Sequence, residues 1–320
     1  MNIPSLYRQI KQILDDSNKA LVNKGVNAAN SLYDIDTEIK KMGSINRLPY
    51  ILRQEIIDVT ENDLVGVASI GDYAFYDCTN LNEVTIPDSV TSIDSYAFYN
   101  CTSLTSITIP DSVTSIGDYA FSNCKSLTSI EIPDSVTSIG SYAFHSCTSL
   151  ESITIPDSVI LIGNAVFYNT AYYNNASNWE DSVLYIGNCL IDSSLISGEY
   201  TIKEGTKSIG ESALGYNSGL TSITIPDSVV CIGNYAFYNC RSLTSITIPD
   251  SVVYIGNYAF YDCNSLTSVY LNPTIPPSLG GSTSISTTTT IHVPIGSGEA
   301  YKSATNWSLF ADRIVEDIEL

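Results

Sequence analysis

The chain has 320 residues and a formal net charge of −20 at pH 7, from 14 Lys and Arg against 34 Asp and Glu. The charge is uneven: residues 1–54 hold eight basic and five acidic side chains, and the remainder holds six basic and 29 acidic ones. An acidic surface repels phosphate, which argues against nucleic acid and anionic membranes as partners of that remainder.

Residues 1–43 carry the pattern of two short amphipathic helices. The first has a stripe of apolar residues at helical spacing, Leu6, Ile10, Ile13, Leu14 and Leu21. Gly25 is placed to end it, and residues 31–42 predict the second helix. The predicted helical segment can serve as a solubilising cap, a docking module or an oligomerisation stub.

Residues 44–69 predict a separate N-terminal cap with a strand near residues 55–60. This second cap favours attachment or homo-oligomerisation as the role of residues 1–43, whose pattern resembles the start of tail-associated proteins of phages that infect gut bacteria. Residues 1–11 place polar side chains where a secretory signal has its apolar core, and no apolar run is long enough to span a membrane. We therefore expect no signal peptide and no membrane insertion.

From residue 70 onward a unit of 23 residues repeats, and residues 109–131 are one copy of it. Its prolines recur at Pro87, Pro110, Pro133, Pro156, Pro226 and Pro249. The predicted turn positions are Gly71, Asp94, Gly117, Gly140, Gly163, Gly187, Gly210, Gly233 and Gly256, with one extra residue between Gly163 and Gly187. A fixed period of about 20 to 29 residues with Leu and Ile at set places is typical of a leucine-rich-repeat solenoid.

Within one unit, residues 127–132 alternate apolar and polar side chains, as a half-buried strand does, and Pro133 ends the strand because it has no N–H. Gly140 predicts a tight bend, and residues 141–144 predict a short helical turn on the opposite wall. One unit cannot bury its apolar side chains alone, so we expect successive units to stack. The predicted buried columns include Phe98, Phe121 and Phe144.

The unit I-P-D-S-V-T-S-I-G-x-Y-A-F-x-x-C-x-S-L-T-S-I-x closely resembles the BspA-like leucine-rich repeats, over residues 70–271. Members of that family are mostly surface or secreted adhesion and recognition proteins of gut and oral bacteria and of some parasitic protists. The resemblance implies a repeat solenoid of 23-residue units, with short strands on one face and short helical or irregular turns on the other. It implies binding, with no catalytic residue and no cofactor to carry over.

After residue 271 the period ends, and the remaining residues 272–320 predict a loop followed by a C-terminal cap. Residues 272–290 are rich in Pro, Gly, Ser and Thr and predict the loop. Residues 291–294 predict one last strand, and residues 299–302 and 307–314 predict a closing helical segment. The resemblance to BspA-like proteins implies that this end caps the solenoid.

The eight cysteines follow the repeat. Six occupy one slot, Cys78, Cys101, Cys124, Cys147, Cys240 and Cys263. Stacked units place them in a buried column of free thiols, which we favour over disulfides or a metal site. Thr170, Ser194 and Asn217 are predicted to fill this slot in three units. Cys231 stands in a Ser/Thr slot and predicts an exposed thiol, whereas Cys189 has no assigned place.

Two sets of residues are candidates for ligand binding. The outward positions of the predicted strands give Glu131, Thr154, Thr224, Thr247 and Tyr270. The repeat degrades at residues 170–185, and irregular loops on rigid scaffolds favour binding. This segment adds the aromatic candidates Tyr172, Tyr173 and Trp179.

Two further ladders are weighed against plain structural roles. A tyrosine ladder, Tyr73, Tyr96, Tyr119, Tyr142, Tyr235 and Tyr258, is expected to pack from unit to unit with its hydroxyls in water. Stacking on a glycan is the less favoured interpretation. An aspartate column, Asp88, Asp111, Asp134, Asp157, Asp227 and Asp250, suits Ca²⁺, but capping of each turn is favoured. We assign no metal.

The sequence contains no known catalytic motif, and its two histidines, His145 and His292, stand in different settings. Together with what the resemblance to BspA-like repeats implies, this predicts a non-enzymatic recognition or adhesion protein that binds a protein or glycan on a cell surface. We expect it to be extracellular, at the cell surface, or virion-associated as a phage tail receptor-binding protein. In the alternative, the solenoid is a structural spacer and residues 1–43 mediate binding, so that deleting them abolishes it.

Overall fold

The computed structural model describes residues 58–59, 64, 66–281, 285 and 288–319. The predicted helical segment at residues 1–43 and most of the predicted cap at residues 44–69 lie outside them. The contacts within the chain divide it into two compact units. Unit 1 holds the described residues up to Val136 with Tyr142–Ile153 and Phe167–Asn174, and unit 2 holds Thr137–Ser141, Thr154–Val166 and the described residues from Asn175 onward.

Short strands dominate the described part of the chain. The strands up to the middle are β1 Asp58–Val59, β2 Ser69–Ile70, β3 Glu83–Thr85, β4 Ser92–Ile93, β5 Ser106–Thr108, β6 Ser115–Ile116, β7 Ser129–Glu131, β8 Ser138–Ile139, β9 Ser152–Thr154 and β10 Leu161–Ile162. A one-turn helix, α1 Ala171–Asn174, and a 3₁₀ turn, Ala176–Asn178, follow.

The later strands are β11 Trp179–Glu180, β12 Val183–Ile186, β13 Cys189–Ser193, β14 Ser197–Thr201, β15 Ser208–Ile209, β16 Gly219–Thr224, β17 Cys231–Ile232, β18 Ser245–Ile248, β19 Tyr254–Ile255, β20 Ser268–Leu271, β21 Ser278–Leu279, β22 Thr290–Pro294 and β23 Ile314–Ile318. Helix α2, Gly298–Ser303, and the 3₁₀ segment Trp307–Arg313 lie between β22 and β23.

Successive coils stack in parallel, which confirms the predicted solenoid. In unit 1, β3 pairs with β5, Glu83 opposite Ser106, and β4 pairs with β6, Ser92 opposite Ser115. Both offsets equal the repeat period of 23 residues, so equivalent side chains lie in register. The sequence predicted only the first strand of each coil. The second forms because a half-buried Ser and a buried Ile alternate just before the glycine position.

Unit 2 is built on the same plan. β15, β17 and β19 pair in parallel through one row, and β18, β20, β22 and β23 through another. Stacking of identical side chains forms the buried spine in each unit. Phe98 and Phe121 stack with ring centroids 5.2 Å apart, and so do Phe121 and Phe144, which confirms the predicted column.

The wall opposite the strands is not helical, contrary to the prediction for residues 141–144. It consists of consecutive turns in which Tyr142 and Ser146 have positive φ, 60° and 59°. In an equivalent coil, Ala74 and Tyr76 donate their N–H groups within the turn, and Phe75 donates to the carbonyl of Ala97 in the next coil. Because alternate N–H groups serve the neighbouring coil, the backbone is satisfied without a helix.

The repeated glycine serves close packing rather than the tight bend that the sequence predicted. Neither Gly117 nor Gly163 has a positive φ. A Cβ atom on Gly117 would lie 2.6 Å from the carbonyl carbon of Asp94 in the previous coil, and one on Gly163 would overlap the backbone nitrogen of Ser141. At Gly117 and Gly163 the missing side chain is what allows the coils to approach this closely.

All eight cysteines are free and buried, in agreement with the predicted thiol column. The prediction of an exposed Cys231 thiol is wrong, since only 2% of the residue is exposed. Cys231 lies between Ser208 and Tyr254 in the short-strand row of unit 2, and these paired neighbours cover it. Cys189, which the sequence left unassigned, opens the same row opposite Ser208.

The segment where the repeat degrades forms an antiparallel meander of β11, β12 and β13. Gly187, predicted to continue the glycine register, has φ +57° and lies between the paired residues Ile186 and Cys189 of β12 and β13. Ser194 is exposed and does not fill the cysteine slot as predicted. Gly187 therefore lies 24 residues after Gly163 by coincidence, and it does not occupy the glycine position of a regular coil.

The predicted loop at residues 272–290 contains the strand β21, in which Ser278 pairs with Tyr254. Its prolines obscured this strand in the sequence, because proline disfavours a ladder. Their carbonyls accept from buried aromatic side chains instead: Tyr301 Oη donates to Pro273 and Trp307 Nε1 to Pro277, both at 2.7 Å. The last predicted strand is confirmed as β22, and β23 adds a further one beside it.

Candidate functional site

The predicted strand-face candidates all have exposed side chains. Glu131 ends β7 in unit 1, and Thr154 ends β9 in unit 2. Thr224 ends β16, Thr247 lies in β18, and Tyr270 lies in β20. Within unit 2, Thr247 is opposite Tyr270 in the parallel pairing, so the structure brings these two together.

Tyr270 also has a neighbour that sequence reasoning missed. His292 pairs with it from β22, and the two rings stack with centroids 4.4 Å apart. His292 Nδ1 lies 2.7 Å from a carboxylate oxygen of Asp317 on β23. The stacking order of β20, β22 and β23 assembles this cluster, and it was hidden because the sequence predicted no strand after residue 294.

The candidates from the degenerate segment divide between the units. Tyr172 and Tyr173 lie in α1 of unit 1, where the Tyr173 ring lies 5.1 Å from that of Tyr168. The hydroxyl of Thr170 accepts from the Tyr173 backbone N–H at 3.0 Å and holds the helix start. Trp179 lies in β11 of unit 2 and pairs with Leu184.

The tyrosines of the turn wall form two columns in unit 1. The inner column confirms the predicted ladder: Tyr96 stacks on Tyr73 and on Tyr119 with centroids 4.8 and 4.7 Å apart. In the outer column Tyr76 stacks on Tyr99 at 4.9 Å with 10° between the ring planes. Because the rings of both columns lie face to face, each covers the faces of its neighbours.

The tyrosines of unit 2 are arranged differently. In the inner column Tyr235 stacks on Tyr258 at 5.0 Å. The outer rings are almost perpendicular to the inner ones: 80° separates Tyr238 from Tyr235, and 87° separates Tyr261 from Tyr258. The outer rings of unit 2 therefore do not follow the orientation of the inner column, and Tyr216 meets Tyr238 edge to face with ring centroids 5.0 Å apart. Tyr238 and Tyr261 are nearly parallel, with ring centroids 5.9 Å apart against 4.9 Å for Tyr76 and Tyr99, and we call this more widely spaced pair the aromatic platform.

This platform borders a cavity of about 810 Å³, which we call the tyrosine pocket. Its lining includes five tyrosines, Tyr216, Tyr235, Tyr238, Tyr258 and Tyr261. Polar side chains make up most of the remainder, Asn164, Asp192, Ser193, Ser194, Glu211, Ser212 and Asn217, together with Leu195 and Gly215. Convergent polar groups beside aromatic rings are typical of small-ligand sites.

The pocket exists because one coil lacks the two aromatic rings of the repeat. Ser212 stands 23 residues before Tyr235, and Gly215 stands 23 residues before Tyr238, so small residues fill the inner and outer positions. Both also line the pocket. The sequence does contain a signal for this gap. Residues 234–238 read Asn-Tyr-Ala-Phe-Tyr, whereas the equivalent residues 211–215 read Glu-Ser-Ala-Leu-Gly, so both aromatic positions are lost in that coil.

A loop that closes one side of the pocket is held by a buried amide. Asn217 occupies the cysteine slot, as predicted, and is 1% exposed. Its Nδ2 donates to Ser193 Oγ at 2.8 Å and to the carbonyl of Leu214 at 3.0 Å, and its Oδ1 accepts from the Ile196 N–H at 2.6 Å. These bonds fix residues 193–196 beside the platform.

The electrostatics of the pocket are acidic. Asp192 and Glu211 supply carboxylates, and none of the lining residues is Lys or Arg. Glu211 Oε2 is 3.4 Å from Asn234 Nδ2. Desolvation, followed by interaction with Tyr216 and Asp262, raises the pKa of the Tyr238 hydroxyl.

Comparison with protein families identifies the repeat. The model of the BspA type leucine rich repeat region matches residues 68–197 and 186–293, with six copies. The chain belongs to the BspA-type leucine-rich repeat family. This is a family of binding and recognition solenoids that are generally not enzymes.

Solved structures of similar chains are also leucine-rich-repeat proteins. A leucine rich cell surface protein from Faecalibacterium prausnitzii is 26% identical, with 79% of this chain and 87% of that chain covered and a TM-score of 0.32. A leucine rich repeat protein of T. pallidum is also 26% identical, over 63% of this chain and 79% of its own, with a TM-score of 0.31. A search of curated proteins finds no match.

Two other properties of this BspA-type chain concern metals and membranes. Among the residues that the structure describes, no group of three or more His, Cys, Asp or Glu side chains could hold a metal ion. Asp157 of the predicted aspartate column pairs with Lys207, Nζ to Oδ2 at 2.9 Å. None of the helices in the described ranges is long and apolar enough to cross a membrane.

Proposed function

We propose that this BspA-type protein is a non-enzymatic recognition or adhesion protein that binds a protein or glycan at a cell surface, where we also place the protein itself. The observation that carries the proposal is the register of the coils. Parallel pairing at the repeat period presents exposed side chains such as Thr247 and Tyr270 at fixed positions. Solenoids use such extended surfaces for binding.

The contact residues follow from exposure and chemistry. On the strand face, the proposed contacts are Glu131, Thr154, Thr224, Thr247 and Tyr270. Among them Tyr270, 37% exposed and backed by His292, is the aromatic anchor that binding hot spots favour. The degenerate segment contributes Tyr172, Tyr173 and Trp179, which are partly buried aromatic side chains beside exposed polar ones. A role as a phage tail-associated receptor-binding protein is part of the proposal. It depends on residues 1–43, which lie outside the residues that the structure describes.

Binding of the labelled full chain to panels of bacterial and animal cells, measured by flow cytometry, tests the proposal. We expect at least one cell type to be stained above an unrelated acidic protein. Tyr270→Ala and Thr247→Arg should reduce the staining, whereas Val253→Arg, at an exposed position outside the proposed contacts, should not. Failure to stain any cell type would contradict the recognition function.

A further inference from the structure

The tyrosine pocket has the donors, acceptors and ring faces that a sugar requires, and we propose that it binds a neutral saccharide. The proposal rests on the recognition function and names the ligand class for one site. A sugar ring would lie against the platform of Tyr238 and Tyr261, which line the pocket with their rings almost perpendicular to the inner column. The face of an aromatic ring is electron-rich and attracts the C–H groups of a sugar.

The polar lining favours a sugar over a cation. An ammonium or guanidinium group has only donors and would use only the carboxylates of Asp192 and Glu211. The pocket also offers donors, the amide of Asn164 and the hydroxyls of Ser212 and the tyrosines. Sugar hydroxyls donate and accept, so they match both kinds of group.

The charge of the lining decides which sugars fit. Asp192 and Glu211 repel carboxylate and sulfate groups, and no lining residue is a cation that could pair with them. We therefore assign hexoses and N-acetylhexosamines, alone or in short oligosaccharides, and exclude sialic and uronic acids. The cavity of about 810 Å³ lies within the size range of ligand sites, about 300–1,000 Å³.

A printed array of neutral, sialylated and uronic-acid oligosaccharides, probed with the full chain, tests the ligand class. We expect retention on neutral members and none on the acidic ones. Preferential retention on acidic members, or on none, would overturn the proposal. A lysine-rich peptide serves as the competing probe, and its binding in place of the neutral sugars would also overturn it.

Filling the pocket tests the location. Ser212→Tyr restores the aromatic residue of the neighbouring coils at a backbone φ of 59°, close to the 53° at Tyr235. It should weaken binding of the retained oligosaccharide about tenfold or more, because the new ring occupies the site. Tyr261→Ala removes half of the platform and should weaken binding similarly. Tyr99→Ala, in the outer column of unit 1, should leave it unchanged.

Unchanged affinity in both Ser212→Tyr and Tyr261→Ala, with melting temperatures showing that both are folded, would refute the location. Two further readouts separate this inference from the proposed function. If cell staining persists in Ser212→Tyr and is not inhibited by the retained oligosaccharide, saccharide binding in the pocket is refuted, and the proposed recognition function is retained. Loss of staining together with loss of sugar binding supports both.

Discussion

At the scale of single residues, the cysteine slot is defined by a hydrogen bond as much as by size. Cys124 Sγ donates to the Phe98 carbonyl of the previous coil at 3.2 Å, and Cys147 Sγ donates to Phe121 at 3.1 Å. Where the cysteine is missing, Thr170 donates instead to the carbonyl of Phe167 in its own turn. A buried carbonyl without a donor is costly, so the slot accepts small residues that donate.

Burial of the thiols predicts a loss of stability in alkali. Burial raises the pKa of Cys189 and Cys231 from the ordinary value of 9.0 to about 12, and that of Cys124 well above 9.0. The unfolded chain therefore ionises first, and the stabilisation present below pH 9.0 is lost as the pH rises toward about 12. Urea unfolding at increasing pH should show a falling midpoint.

Cys231→Ser provides the matched comparison, because serine occupies the equivalent position at Ser208. The variant should lose less stability than the parent protein between pH 8 and pH 10, about the range in which a free thiol ionises. Equal losses in the two proteins would contradict the assignment of the alkaline sensitivity to this thiol.

The repeated glycine predicts a steric cost. Alanine at Gly117 would place its Cβ 2.6 Å from the backbone of Asp94, so the coils must separate. We expect Gly117→Ala to lower the free energy of unfolding by about 1–3 kcal/mol, the usual cost of forced backbone shifts. Chemical denaturation measures it. Gly281→Ala, whose Cβ would be 3.9 Å from Asn306 Nδ2, is the control and should change little.

At the scale of elements, the meander β11–β13 interrupts the repeat and contributes to the tyrosine pocket. It carries Asp192 to the pocket, and the loop after it is held by Asn217. The coil itself needs only a small donor in this slot. The amide is needed because it bonds three partners, Ser193, Ile196 and Leu214, where a thiol bonds one.

Asn217→Cys therefore separates the two roles. The thiol can still donate to a backbone carbonyl, as Cys240 does to Leu214 of the previous coil, but the Ile196 N–H loses its acceptor. We expect faster amide hydrogen exchange at Ile196 and a loss of about 1–3 kcal/mol in unfolding free energy from the unsatisfied group. Exchange at Ile223, in β16, should be little altered. Unchanged exchange at Ile196 would disprove the role of Asn217.

At the scale of the whole molecule, charge is the dominant property. The net charge is −20, and only six basic side chains stand against 29 acidic ones after residue 54. Pairs such as Lys203 with Glu180 are exposed and contribute little. The folded state therefore carries unrelieved repulsion between like charges.

Screening should relieve this repulsion. We expect the melting temperature of the full chain to rise as NaCl is increased from about 10 mM to about 150 mM, over which the Debye length falls from about 30 Å to about 8 Å. Scanning calorimetry measures the shift, and KCl should give the same result because screening depends on ionic strength. A melting temperature that falls with salt would show that favourable ion pairs dominate instead.

The sequence by itself determined the repeat, its period and the buried columns. Phe121 and Cys124 recur at fixed spacing, and stacking is the only way for such a chain to bury them. The sequence could not show that Gly117 allows close contact between coils. Nor could it show that the strands of Ser278 and Ile314 extend the sheets past the last regular unit, because both depend on residues distant in the chain.

Only the tertiary structure decided the candidate site. Tyr238 and Tyr261 stand outside the tyrosine ladder that the sequence predicted, and their role depends on ring orientation, which local pattern does not encode. The pocket needs the gap at Ser212 and Gly215, the loop held by Asn217 and the carboxylate of Asp192 to meet on one wall of unit 2. Periodicity fixes what is identical from coil to coil, whereas a binding site arises where the coils differ.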